Sequence, residues 1–153
     1  MFKIFDSDVL IDIYTIRALY VYEDTIRHWD ENGNPLSSDT QIDVYAIVSS
    51  SINNKFSDVP IARNFNSIRA AKAYVQDLVN SISHINPYIK IFSSGNAVDI
   101  YYVLSTYIHT LNDDWNIYAD IGAEDNILLA EGTGSKELNS ANQVICDILN
   151  SSR

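Results

Sequence analysis

Apolar and polar positions divide the chain into stretches of two different periods. Residues 1–5 alternate weakly around Phe2 and Ile4, and residues 9–22, VLIDIYTIRALYVY, are almost continuously apolar. Helical and extended templates both fit such a run, but its β-branched and aromatic content favours strand. DENGNP at 30–35 marks a turn, because Asn32-Gly33 suits the positive φ of a type I′ turn and Pro35 opposes helix. QIDVYAIVS at 41–49 then alternates, with Ile42, Val44, Ala46 and Val48 on one face. Residues 19–29 and 41–50 therefore read as an antiparallel hairpin with a long polar loop.

The period changes at residues 65–88, where Ile68, Ala71, Val75, Leu78, Ile82 and Ile85 recur every three or four positions. Asn66 or Ser67 is a suitable N-cap and Pro87 a stop, so a helix is expected over 67–85, with His84 in its last turn. YIKIF at 88–92 reads as a short strand broken at Ser94-Gly95-Asn96. Residues 97–111 place Ala97, Tyr101, Leu104, Ile108 and Leu111 on one helical face, which predicts a second helix capped by Asn96. WNIYADI (115–121) and NILLA (126–130) flank the turn GAED as a second hairpin, and 135–149 forms a last amphipathic helix. No internal repeat or linker is visible along 1–153. The expected fold is a single α+β domain, a mainly antiparallel sheet of about five to six strands covered by about three helices.

Composition changes the picture through charge. Ten Lys and Arg face twenty Asp and Glu, giving a net charge of −10. Residues 1–50 and 91–153 carry the excess, whereas 51–90 are basic. A negative field repels phosphates, so direct nucleic-acid binding is disfavoured, and a basic protein or nucleoprotein surface is the expected partner. No run approaches the roughly 20 apolar residues of a membrane-spanning helix. The N-terminal residues lack a secretory pattern, and Cys146 is the single cysteine, so a cytoplasmic location is expected.

Three stretches invite a chemical reading. FDSDVLI at 5–11 resembles the opening of PIN-domain ribonucleases, hydrophobic residues followed by D-[ST]-[ND]-V-L-I. That resemblance covers about eight residues. It implies a carboxylate cluster around Mg²⁺ or Mn²⁺, with Asp6 as a ligand, Asp8 behind it and Asp125 as the later acid. The family's helical Glu has no counterpart in residues 32–65. LLAEGTGSKEL at 128–138 has the glycines and lysine of a phosphate loop, yet Ser135 separates Gly134 from Lys136. A turn with an N-cap from Thr133 or Ser135 fits it better. His28, His84 and His109 lie at no metal-ligand spacing, and Cys146, between apolar helix positions, reads as packing.

Aromatic residues beside acids form the remaining signal. Tyr and Trp give large contact area at small entropic cost, and neighbouring carboxylates suit a cationic surface. Glu23, Asp24, Trp29, Asp30 and Glu31 form one such group, and Asp113, Asp114 and Trp115 another. The expected function is non-catalytic binding, in the manner of an acidic inhibitor of the immunity or phage and mobile-element type, without cofactor or bound metal. A metal-dependent ribonuclease using Asp6 and a homo-oligomeric accessory protein, such as a homodimer, are the alternative readings.

Overall fold

The computed structural model describes residues 1–50 and 55–151. Strands β1 (Phe2–Ile4) and β2 (Leu10–Asp12) form a small antiparallel hairpin that ends in a 3-10 turn at Ile13–Thr15. Strands β3 (Ile16–Trp29), β4 (Pro35–Ser49) and β5 (Phe56–Ala62) follow as an antiparallel meander, with helix α1 (Ile68–Ile82) against it. A second hairpin, β6 (Ile89–Ile91) with β7 (Ala97–Asp99), leads through a 3-10 turn at Ile100–Tyr102 to a second meander. That meander is β8 (Ser105–Leu111), β9 (Asp114–Asp120) and β10 (Ile127–Thr133), and helix α2 (Ser135–Asn150) packs on it.

The same unit therefore occurs twice: hairpin, 3-10 turn, three-stranded meander, helix. KIFDSDVLIDIYTI at 3–16 aligns without gaps on KIFSSGNAVDIYYV at 90–103, identical at seven of fourteen positions. Backbone detail follows the alignment. Asp8 and Gly95 both have positive φ, 63° and 88°, and their N–H groups donate to Phe5 and Phe92 carbonyls at 2.9 Å. Ser7 donates its N–H to the Ile61 carbonyl and its hydroxyl to that of Pro60, and Ser94 does the same to Leu129 and Leu128. Ile61 and Leu129 are each skipped by the strand register, so the same bulge in β5 and β10 presents the carbonyl that the serine reads. Asp12 and Asp99 each accept the N–H two residues on, from Tyr14 and Tyr101, which starts the two 3-10 turns.

The halves are joined by one strand pairing. β7 adds antiparallel to β3, Ala18 opposite Val98 and Leu19 opposite Ala97, and completes a five-stranded sheet ordered β5-β4-β3-β7-β6. Alternation along β3 then serves two cores. Leu19 and Ala46 face α1 with Val75, Leu78, Val79 and Ile82, while Ala18 and Ile47 face the second unit with Ile117, Leu129 and Ile145. At the joint, the buried Asp99 carboxylate accepts the Asn86 amide at 3.0 Å and lies 3.8 Å from the Arg17 guanidinium, which stacks 3.6 Å over the Tyr102 ring.

Several expectations are corrected. The described residues form ten strands in three sheets with two α-helices, more sheet and less helix than the sequence suggested. Residues 97–111 are not a helix: β7, a 3-10 turn and β8 occupy them, and the β-branched and aromatic content of the stretch outweighs its helical spacing. Asn96 is a buried bridge instead of a cap, its amide bonding the Val21 N–H and the Leu128 carbonyl, each at 3.0 Å. His84 lies beyond the end of α1, which stops at Ile82. The loop between β3 and β4 is a tight turn at Asp30–Asn34, where the Gly33 N–H donates to Asp30 and Gly33 has a φ of +80°, a type I turn closed by a glycine bulge. β5 has no counterpart in the sequence reading because Asp58 and Pro60 interrupt its apolar pattern; an edge position accommodates that proline. The repeat itself escaped because the first unit has a much longer β3–β4 hairpin, which shifts the alignment between conserved stretches.

The equivalent turns differ in strain. Gly95 could carry a Cβ only 2.5 Å from Lys72 Cγ, at a φ that L-residues rarely adopt, whereas Asp8 already bears a side chain there. Gly95→Ala is expected to cost about 1–2 kcal/mol and Asp8→Gly less than about 0.5, read as urea-midpoint shifts at constant slope.

Candidate functional site

β3 and β4 continue well past the sheet as a two-stranded arm. Residues 22–29 and 31–40 are exposed along it, with Glu23 opposite Ile42, Thr25 opposite Thr40 and Trp29 opposite Pro35. Between Glu23 and Thr40 the arm has five carboxylates against the single Arg27. Its tip is organised by Asp30, whose carboxylate accepts the N–H groups of Asn34 at 2.8 Å and Asn32 at 2.9 Å and the Asn34 amide at 3.1 Å. Those bonds, led by the Asn34 N–H, hold the Asp30 carboxyl below the usual range, so it stays ionised through the neutral region. Trp29 beside it is 57 % exposed, and Ile26 and Leu36 are also exposed on the same arm. Farther down, His28 Nε2 lies 2.9 Å from Asp39.

At the root of the arm the two units share a second motif. Tyr20 stacks on Tyr45 at 5.6 Å and donates its hydroxyl to Asp58 at 2.8 Å. Tyr107 stacks on Tyr118 at 5.3 Å and its hydroxyl accepts the Asn126 amide at 2.9 Å. Burial, then the Asp58 carboxylate beside it, pushes the Tyr20 phenol well above its ordinary value. No motif search would single out these tyrosines; the available signal is the alignment of D-V-Y-A at 43–46 with N-I-Y-A at 116–119.

The two sequence-derived groups have different fates. Glu23, Asp24, Trp29, Asp30 and Glu31 lie together on the arm and at its tip. Asp113 and Asp114 mark the corresponding β8–β9 turn, exposed and much closer to the sheet. Trp115 is not a surface anchor. It is 5 % exposed, belongs to the second core, and its indole N–H finds no partner among the described residues. Strand alternation turns it inward where Asp114 turns outward.

The glycine-rich stretch has a packing explanation. Gly132 lies under the Trp115 indole, so closely that a Cβ there would be 2.5 Å from Cζ2. Gly134, with a φ of 88°, precedes α2 as its N-cap residue, in place of Thr133 or Ser135, and the Glu137 carboxylate reaches back to the Thr133 N–H at 3.4 Å. A carboxylate thus occupies the place a phosphate would need.

Asp6 and Asp125, the metal-site reading, belong to different surroundings. Asp6 acts on the Tyr74 phenol of α1, which burial foremost and this charge raise to about 12, whereas Asp125 acts on Tyr20. Among the described residues no three His, Cys, Asp or Glu side chains gather as metal ligands. The antiparallel sheets also differ from the parallel sheet that the PIN resemblance implies. Cys146, expected to be buried, is exposed on α2.

No family model matches the chain, and neither does any curated protein or solved structure. The class is thus defined by the geometry alone: a duplicated hairpin–meander–helix unit in which the first copy carries an acidic arm.

Two outcomes follow. Gly132→Ala forces the indole to move and is expected to cost about 1–3 kcal/mol in urea unfolding. Because the folded-state phenol of Tyr20 is raised, its contribution is fully present below the unfolded value of about 10 and is lost as pH rises above that. Tyr20→Phe should therefore flatten the decline in melting temperature between about pH 9 and pH 11. An unchanged slope would show that Tyr20 is not the group responsible.

Proposed function

We propose that the protein is a non-catalytic binding module that engages a basic macromolecular surface with the β3–β4 arm. The observation that carries this reading is Trp29, a large side chain left exposed beside the ionised carboxylates of the tip. Exposing a tryptophan on a projecting ribbon leaves apolar area unburied, which a partner would cover, and Trp is the residue most enriched where binding energy concentrates. Carboxylates around it speed encounter with a cationic patch and exclude anionic competitors. The hydrogen-bonded turn at Asp30 preorganises the tip, so little ordering remains to be done on binding.

A basic protein or nucleoprotein in the cytoplasm is the partner this chemistry suits, as for acidic inhibitors that mask nucleic-acid-handling machinery. Such a role asks for complementary shape and charge and for no reacting group. Asp113 and Asp114 form a lesser second contact in the shorter hairpin, and Trp115 supports the core beneath it.

The test is affinity capture with wild-type protein and with an Asp24→Lys, Asp30→Lys, Glu31→Lys variant. Wild type is expected to retain a basic partner at about 0.1 M salt and release most of it at about 0.5 M, where surface charges are screened. The triple variant should lose it at both, and Trp29→Ala alone should weaken binding by about tenfold or more. Retention that ignores all four substitutions, or cleavage of RNA with added Mn²⁺ that disappears in Asp6→Ala, would overturn the reading.

A further inference from the structure

The joint between the two units leaves both its halves exposed at the opposite ends of the molecule. In the joint, the outward side of the β6–β7 hairpin is seated against the first unit: Ile89 and Ala97 are buried in one core with Val75 and Val79 of α1, and Ile91 packs beside them. The equivalent residues of the β1–β2 hairpin, Phe2, Leu10 and Ile4, are 65 %, 59 % and 70 % exposed. Nothing in the chain covers this face, although its other side, with Phe5, Ile11 and Ile13, is buried in the unit's own core.

The complementary surface is equally open. The edge of β3 that receives β7 corresponds to the edge of β8, whose only strand neighbour is β9. Natural sheets blunt such edges with Lys, Pro or bulges, and STYIHTL has none of these. Beside it, a groove of about 340 Å³ runs between β8 and α2, lined by Leu104, Thr106, Ile145 and Leu149 among others. Alignment of the two helices on their buried faces puts Ile145 and Leu149 at the places of Val75 and Val79, the residues that hold the β6–β7 hairpin. The groove is thus the vacant form of a seat that is filled in the first unit.

We infer that the β1–β2 hairpin of one copy of this chain docks head to tail on the β8 edge and β8–α2 groove of a second copy. The internal joint supplies the register. Ala18 opposite Val98 and Leu19 opposite Ala97 become Ser105 opposite Ile11 and Thr106 opposite Leu10 of the neighbour. Phe2, Ile4 and Leu10 fill the groove, and the strands exchange antiparallel backbone hydrogen bonds, as in peptide recognition by strand addition. Where Arg17 meets Asp99 and Tyr102 internally, the new joint has Leu104, 72 % exposed in the single chain, and is apolar. Such a contact joins unlike surfaces, so it extends to chains or closes into rings. It uses neither the arm nor its charges.

The test uses two variants of the full chain: Ile4→Lys with Leu10→Lys, which spoils the hairpin, and Leu104→Lys with Thr106→Lys, which spoils the groove. In light scattering at rising concentration, wild type is expected to exceed its 17.2 kDa monomer mass. Adding 0.5 M salt should not weaken association, in contrast to capture by the arm. Each variant alone should stay monomeric, and an equimolar mixture should form a heterodimer of one each, because one intact hairpin meets one intact groove. Should Thr106→Lys disturb the fold, Leu104→Lys alone serves. In a Cys146→Ser background, Leu10→Cys and Thr106→Cys chains should cross-link to each other on oxidation and not to themselves. Wild type that remains monomeric to about 0.5 mM, an oligomer that survives in both variants, or a mixture that stays monomeric would overturn the inference.

Discussion

The pairing of β7 with β3 is the contact on which the rest of this structure depends. A strand has two faces, and here one short hairpin is asked to complete two cores at once. Phe92, Val98 and Ile100 turn to the second core, while Ile89, Ile91 and Ala97 turn to the first. Alanine at 18 and 97 keeps the facing backbones close to their neighbours, and the buried Asp99 is tolerable because Asn86, Arg17 and the Tyr101 N–H all address its oxygens. Without this joint each unit would retain an open sheet edge and half a hydrophobic face.

Duplication explains why the frame is so regular and why function can be local. Each unit needs the same serine clamp on a bulged outer strand, the same positive-φ turn and the same stacked tyrosine pair. The first unit adds its long hairpin without touching any of these, because the added residues extend away from the sheet. A projecting ribbon carries few packing obligations, so its sequence is free to be acidic and to expose Trp29. The second unit keeps a short hairpin, and the position at which it could have displayed a tryptophan is instead used to fill the core over Gly132.

How much of this could be read from sequence depended on how local the cause was. Both helices were legible, since Ser67 caps α1 at 3.0 Å to the Ala70 N–H and the apolar stripe follows within one element. The hairpins were legible from Asn32-Gly33 and from alternation along 115–121. The arm's acids and Trp29 were found, though not the length of the ribbon that displays them. Residues 97–111 were misread because Ala97, Tyr101, Leu104 and Ile108 fall at helical spacing by coincidence, and only the pairing of Ala97–Asp99 with β3 breaks the period. Trp115 was misplaced because adjacency to Asp113 and Asp114 in sequence says nothing about which way a strand residue points.

Sequence alone determined the mixed class, the negative field, the two amphipathic helices and the residues available for a cationic partner. These follow from composition and short-range periodicity, which act between neighbours in the chain. Tertiary structure alone decided that the chain is two copies of one unit, which hairpin is seated and which is left bare, and which tryptophan is offered to solvent. Those outcomes rest on hydrogen bonds and burial between residues about eighty positions apart, as with Ala18 and Val98, and no local pattern encodes a contact whose two halves must first be brought together.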